Sequence, residues 1–394
     1  MAVEQSDYRM PRALVMMLAG LAALAPLGTD IYLSAVPVMA EAFHAAYHDI
    51  EVTVSFFLIG MSCGQLLGGP LSDRYGRRKM VMTGLSLFLL ASAAMLMNEN
   101  LYLLWGLRII QALGAGLAGV SAMSVVRDMS SGRAGATNMM RVVQVMLIAP
   151  LIAPLIGMVI LQLAGWRAIF VFLVLYCLVL LVLFYLRVPE SSPKQATGNL
   201  LGNYWHVIRD RRVWSFLGAM CGAYAGMFAF ITASPTVYMD FFGLTSTQFP
   251  FAFGANVVAM VLMGKLNIRL LKKHSPSWLI QLGQYMQLAC SFVMLTYLLL
   301  VEQPNFWIAL VLTVGFMSCH AIIVANCTSS VQEFFATRAG TATALMASLG
   351  FMTGAASGGV AGVFADGTPL PMVSIMFGAC VIGITIKRLF RQPG

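Results

Sequence analysis

The sequence predicts an all-α membrane protein whose twelve transmembrane helices form two pseudo-symmetric six-helix bundles. Three observations lead there. Apolar residues fill 59% of the 394 positions and charged residues only 10%, with a mean hydropathy of +0.83, whereas soluble domains carry about 25% charge. Apolar windows recur along the whole chain, each near the ~20 residues a helix needs to cross hydrocarbon. Short motifs in the first half return at corresponding places in the second.

In chain order the windows lie near 13–40, 51–71, 79–97, 101–126, 136–164 and 167–187, then 213–239, 247–270, 277–300, 305–331, 338–363 and 370–387. The first is expected to be a retained helix, since Glu4 and Asp7 mix with Arg9 and Arg12 ahead of it and no clear cleavage site follows. Between the two sets runs the longest polar segment, with Pro189, Ser191, Ser192, Pro193 and Gly198. The expected organisation is a bundle over 1–188, a linker over 189–212 and a second bundle over 213–394, with a short interfacial helix from Leu200 to Val213. The repeat is visible where Gly69-Pro-Leu-Ser-Asp-Arg74 matches Gly264-Lys-Leu-Asn-Ile-Arg269, and where Arg133-Ala-Gly-Ala-Thr returns as Arg338-Ala-Gly-Thr-Ala. Such repeats place a substrate site between the halves at mid-membrane.

Charge sets the orientation. The loops containing Arg74 to Lys79, Arg127, Arg133, Arg187, Arg209 to Arg212, Arg269 to Lys273, Arg338 and Lys387 to Arg391 share one face. The opposite loops hold Arg167 with the acids Asp49, Glu51, Glu99, Asp240, Glu302 and Asp366. The positive-inside rule then makes both termini cytoplasmic. The net charge of +9 reports topology, and no nucleic-acid partner is expected. All six tryptophans fall near window ends or in the linker, as an interfacial belt requires. Seven cysteines, odd in number, inside apolar windows and without C-x-x-C spacing, argue against a disulfide framework or zinc site. His44 and His48 are spaced for one helix face, but no third ligand accompanies them, so no metal and no cofactor is expected.

An acid, Asp30, interrupts the first apolar run, and Arg108 sits inside the fourth. Counted from the outer ends of their windows they lie roughly 15 and 10 Å deep at 1.5 Å per residue, which makes them candidate neighbours. Hydrocarbon cannot replace the hydration of a carboxylate, so such an acid is neutral, paired or beside water, and is a functional candidate by default. Burial disfavours its charged form and a guanidinium favours it, so a cavity opening and closing around Asp30 would move a proton on and off. Arg108, which stays charged, is expected to be partly structural. Tyr32, Gln65, Met146, Tyr224, Phe228, Asn256 and His320 are candidate cavity residues, because aromatic and methionine side chains offer area with little directional demand.

The segment GGPLSDRYGRRKM, residues 68 to 80, resembles the loop signature of the major facilitator superfamily. In it Gly69 and Gly76 would permit close approach and a positive-φ turn. Asp73, among Arg74, Arg77 and Arg78, would latch two helix ends in one state. Arg108-Ile-Ile-Gln-Ala-Leu-Gly114 is similar to the superfamily's span-four motif, with Ala112 in place of a glycine. Thr29-Asp30-x-Tyr32-Leu33 resembles the first-span signature of the twelve-helix drug:proton antiporters. Ala149-Pro150 through Ala153, Pro154 and Gly157 resembles their fifth-span motif, whose small residues would share a face while the prolines kink the helix. With Val126-Arg127-Asp128 and Gly165-Trp166-Arg167, the likeness is nearest to the Bcr/CflA drug-resistance group. That resemblance implies the major facilitator fold and a monomer in the bacterial inner membrane. It also implies proton-coupled export of small, mostly neutral drugs, phenicol- or bicyclomycin-like, at one proton per molecule. An exporter of a metabolite such as an amino acid derivative or siderophore would use the same helices. A membrane enzyme is not expected, for no nucleophile with a base, H-E-x-x-H or P-loop occurs in the short loops.

Overall fold

A computed structural model describes residues 11–129, 132–188, 200–335 and 339–390. The linker positions 189–199, together with Arg9, Arg338 and Arg391, lie outside the described residues. Among the described residues, twelve helices are long and apolar enough to cross a membrane. Spans 1 to 6 are Arg12–Ala42, Tyr47–Tyr75, Arg77–Leu96, Leu101–Val126, Thr137–Ala164 and Trp166–Arg187. Spans 7 to 12 are Arg211–Phe241, Phe249–Leu270, Pro276–Leu300, Phe306–Phe334, Ala339–Val363 and Leu370–Leu389. Each apolar window of the sequence falls on one of them. No strand occurs among the described residues.

Two spans depart from an unbroken helix, and they are the first of each half. Span 1 was expected to run continuously, but its α-helix stops at Asp30, passes through a 3₁₀ stretch at Leu33–Ala35 and resumes at Val36–Ala42. Pro37 has no N–H to return to the Leu33 carbonyl, and its ring crowds that carbonyl, so the ladder opens there. Span 7 is α-helical to Pro235 and then widens to a π-turn over Thr236–Phe241. Pro235 leaves the Ile231 carbonyl without its helical donor, and the Ser234 hydroxyl donates to that carbonyl at 3.0 Å. Interrupted helices at corresponding places in two halves are where transporters of repeated design bind their cargo.

The linker helix is Leu200–Arg209, shorter than the sequence suggested. Asp210 ends it by capping span 7, accepting from the Arg212 N–H at 2.9 Å. Hydrogen bonds from Arg212 hold the Asp210 carboxyl below its ordinary range. The helix is docked by Tyr204, whose hydroxyl donates to the Leu66 carbonyl of span 2 at 3.1 Å. Removal from water raises the Tyr204 phenol above its usual value, and Asp73 adds to the shift.

Within the first half the helices touch backbone to backbone. A Cβ on Gly64 would lie 2.6 Å from the Leu113 carbonyl oxygen, and one on Gly60 would overlap the Ile109 carbonyl. Small residues at such crossings are how membrane helices gain packing without a hydrophobic drive between them. Between the halves, span 2 packs on span 11 and span 5 on span 8. At mid-membrane the Ser62 and Ser348 hydroxyls meet at 2.8 Å, and each also reaches the other's carbonyl, at 2.8 and 3.0 Å. Nearer the acid-bearing end Gly362 fits against Val52. The seam is thus closed towards the acid-bearing end.

These crossings make a direct prediction. Gly64→Val forces spans 2 and 4 apart and should cost about 1–3 kcal/mol of stability, the usual range for overpacking. Gly264→Val, where an added Cβ meets nothing within 4 Å, should leave the thermal unfolding midpoint in detergent unchanged. Equal midpoints for the two variants would contradict this packing.

Candidate functional site

Towards the basic end the halves separate around a cavity of about 860 Å³, within the range that holds drug-sized ligands. Ala22 and Ala25 of span 1, Met61 and Gln65 of span 2, Met123 of span 4 and Met146 of span 5 form its inner wall. Span 11 closes the other side with Thr343, Ala344 and Ala347. Asp73, Arg77, Gln332 and the linker helix's Tyr204 stand at its mouth. The wall is mostly thioether and methyl, with the Gln65 amide and the Ser124, Thr341 and Thr343 hydroxyls, which suits a ligand with much apolar surface and a few polar groups.

Asp30 ends the helical part of span 1 that lines this cavity. It lies five residues past Ala25, roughly 7.5 Å along the helix, and is 4% exposed. Its carboxyl makes neither a hydrogen bond nor an ion pair among the described residues. Thr29 beside it donates its hydroxyl to the Ala25 carbonyl at 2.9 Å.

Arg108 is buried in the same region, at 1% exposure, but does not pair with Asp30. Its guanidinium lies 4.5 Å from the ring centres of both Tyr32 and Phe57. One nitrogen, Nη1, donates to the Gly28 carbonyl at 2.8 Å and to Gln111 Oε1 at 2.7 Å. Gln111 in turn donates to the Ser92 hydroxyl at 2.8 Å, which donates to the Phe88 carbonyl at 2.7 Å. Spans 1, 3 and 4 are therefore tied through one cation, with ring faces on two sides. Its Nε and Nη2 have no hydrogen-bond partner among the described residues. A guanidinium with donors to spare near an unpaired carboxyl is an arrangement that a small movement converts into an ion pair.

The fifth-span motif packs on the break in span 1. A Cβ on Gly157 would overlap the Ile31 carbonyl, directly after Asp30. The Ser34 hydroxyl donates to the Pro154 carbonyl at 3.3 Å. Ala149 and Ala153 are buried on the same face, and Pro150 and Pro154 lie within the helix. In the loop at 69–78, Gly76 has φ 101° and turns the chain between spans 2 and 3. Gly69 needs no such freedom: the nearest atom to an added Cβ is Val120 Cγ1 at 4.0 Å, so its expected close approach is replaced by that of Gly60 and Gly64. Asp73 pairs with Arg77, and Arg77 Nε pairs with Asp128 at 3.0 Å. Arg78 donates to the Tyr185 carbonyl at 2.7 Å, and Arg74 lies over the Tyr75 ring. The loop thus ties helix ends within the first half.

Of the seven candidate cavity residues, the structure places Gln65 and Met146 on the wall. Tyr32 is elsewhere, since its ring covers Arg108 and its hydroxyl meets Thr53 Oγ1 at 2.6 Å. Tyr224, Phe228 and His320 form an aromatic cluster with Phe351, and His320 Nδ1 lies 3.3 Å from the Ala223 carbonyl. Asn256 is buried, bonded to the Ala252 carbonyl of its own helix at 3.0 Å. His44 and His48 are not on one helix: His44 sits in the turn after span 1 with φ 50°. Glu51, at the first position of the expected second window and grouped with the loop acids, is instead a full turn inside span 2 and 2% exposed. A charged side chain at the edge of an apolar window reads as a solvated helix end, and His48 and Asp49 just before it give the same signal.

Comparisons with known proteins give the chain both sequence relatives and a fold relative. The profile described as Major Facilitator Superfamily matches residues 18–385. The chain is 28% identical over 374 residues to a Haemophilus influenzae protein named bicyclomycin resistance protein homolog, covering 93% of each. It is 30% identical to a Pseudomonas aeruginosa chloramphenicol resistance protein over 69% of this chain and 65% of that one. It is 29% identical to Escherichia coli multidrug resistance protein D over 59% of each. In fold it resembles the E. coli xylose transporter XylE in a partially occluded inward-open conformation, with TM-score 0.71, 17% identity and 96% of each chain covered.

The Arg108 cluster yields a test of its own. Lysine cannot span both rings and keep the bonds to Gly28 and Gln111, so Arg108→Lys should lower stability by about 1–3 kcal/mol. Thermal unfolding in detergent measures it, and a wild-type midpoint would show that the cluster does not hold spans 1, 3 and 4 together.

Proposed function

We propose that this chain, which belongs to the Major Facilitator Superfamily, exports small, apolar, mostly neutral drugs from the cytoplasm in exchange for protons. The observation that carries this reading is Asp30: an unpaired acid at a helix break, a turn or two beyond the wall of a drug-sized cavity. Relatives named for resistance to bicyclomycin, to chloramphenicol and to multiple drugs support the substrate class.

The basic end is cytoplasmic by the positive-inside rule, with both termini there, and the protein is a monomer of the bacterial inner membrane. The structure is then its inward-facing state. Residues 1–188 and 213–394 act as two bundles that rock about the seam of spans 2, 5, 8 and 11, joined by the linker over 189–212. Drug enters between Ala25 and Met146 and drives the proton from Asp30 towards the cytoplasm. As the carboxylate forms, the spare donors of Arg108 are placed to receive it, which pulls on spans 1 and 4 and biases closure around the cargo. After the outer side opens and drug leaves, a proton from outside neutralises Asp30 and releases Arg108. One acid and a neutral drug give an exchange of one proton per molecule. The Asp73, Arg77 and Asp128 loop holds the first bundle rigid while it moves.

Two measurements test this. Adding chloramphenicol to detergent-solubilised protein in weak buffer should release protons, and Asp30→Asn should abolish that release while still folding. In inverted vesicles the same variant should lose proton-driven drug uptake. Full proton-driven transport by Asp30→Asn would show that Asp30 is not the coupling acid.

A further inference from the structure

The seam between the halves contains a second acid. Glu51 of span 2 is 2% exposed, and one carboxyl oxygen accepts the backbone N–H of Thr236 on span 7 at 2.6 Å. Thr236 opens the π-turn after Pro235, where the helical ladder is already interrupted. One turn deeper, Ser55 of span 2 faces Thr232 of span 7 across Gly358 of span 11. A Cβ at position 358 would lie 2.6 Å from both the Ser55 and Thr232 hydroxyl oxygens. Both hydroxyls are buried without a hydrogen-bond partner among the described residues. Three helices from two halves therefore close on a pair of carboxyl-bearing and hydroxyl-bearing turns with no room for an added methyl.

The charges around this contact are nearly all of one sign. Span 2 brings Tyr47, His48 and Asp49, the end of span 1 brings Glu41, and span 7 brings Asp240, while span 11 has no titratable residue. His48 is the one group among these that can become positive, and it turns to Asp49 at 3.7 Å. A carboxylate here would be held by Thr236, with Asp240 near enough to repel it and no counter-ion, an arrangement that burial away from water disfavours. A carboxylic acid keeps the bond to Thr236 without that cost. Parting spans 2 and 7 would remove the N–H and admit water, and the balance reverses.

We propose that Glu51 is a second proton-binding group, a lock on the outer seam that holds spans 2 and 7 together with its proton on and releases that proton to external water when they part. The step moves one proton from a carboxylic acid to water and changes no other bond. This rests on the alternating-access reading, and it adds that alkaline surroundings favour the outward-open form because of Glu51. Asp30 then carries the exchange with drug, and Glu51 sets how readily the outer side opens at a given external pH.

Hydrogen–deuterium exchange of the full chain in lipid nanodiscs, without drug, reads the seam directly. Protection of residues 232–241, corrected for the chemical exchange rate, should fall as pH rises, by at most about ten-fold per pH unit for one proton. Glu51→Gln keeps an acceptor for Thr236 but cannot ionise, so its protection should stay high and flat with pH. Glu51→Ala removes the acceptor and should lose protection at every pH. A wild-type pH slope retained in Glu51→Gln, or no slope in the wild type, would overturn the lock. The outcome is separable from the transport reading, since no drug is present: a slope that depends on Glu51 in a chain that fails drug-induced proton release leaves the lock standing and removes the antiport.

Discussion

The structure depends on keeping ionisable groups where water is scarce without letting them cancel one another permanently. Asp30 and Arg108 are both buried near the centre of the first bundle, close enough to interact and yet unpaired. Had they formed a tight ion pair, neither would be free to respond to a ligand or a proton. The chain prevents it by occupying Arg108 elsewhere, with two aromatic faces, the Gly28 carbonyl and Gln111. Cation–π contact and charge-assisted hydrogen bonds offset part of the desolvation, and the two unused donors keep the site poised.

The rest of the fold connects that poise to movement. The break after Asp30 is gripped by span 5, through Gly157 against the Ile31 carbonyl and Ser34 against the Pro154 carbonyl. Span 5 also packs on span 8 of the other half, so a change at Asp30 has a short mechanical path to the seam. Within each half the glycine crossings make the helices stiff. Between the halves, the contact is mostly hydroxyl and methyl, with the Ser62 and Ser348 pair at its middle and the Glu51 to Thr236 bond nearer the acid-bearing end. Such contacts can part and reform at modest cost, as a rocking interface requires.

Much of this was legible in the sequence, for particular reasons. Hydropathy recovers the twelve spans because a bilayer imposes a minimum apolar length on each helix. Asp30 and Arg108 stand out because charge inside an apolar run is expensive. The break in span 1 was hidden, since Pro37 reads as an ordinary helix-end proline until the 3₁₀ stretch before it is seen. The cavity wall was only partly readable: Gln65 and Met146 face it, whereas Tyr224, Phe228 and His320 pack with Phe351, a distinction of helix rotation that a single sequence with 28 methionines and 24 phenylalanines does not encode. Glu51 was grouped with the loop acids because it follows His48 and Asp49 at the edge of its apolar window, whereas in the fold it accepts the Thr236 N–H of span 7 from the other half.

The proposed exchange requires the Asp30 carboxyl to change protonation when drug arrives. Infrared difference spectroscopy of the protein in lipid, with and without chloramphenicol, observes that group without any transport assay. Drug addition should remove one protonated-carboxyl C=O band and add carboxylate bands, with no such loss in Asp30→Asn. A drug-induced spectrum identical in wild type and Asp30→Asn, with drug bound in both, would contradict it.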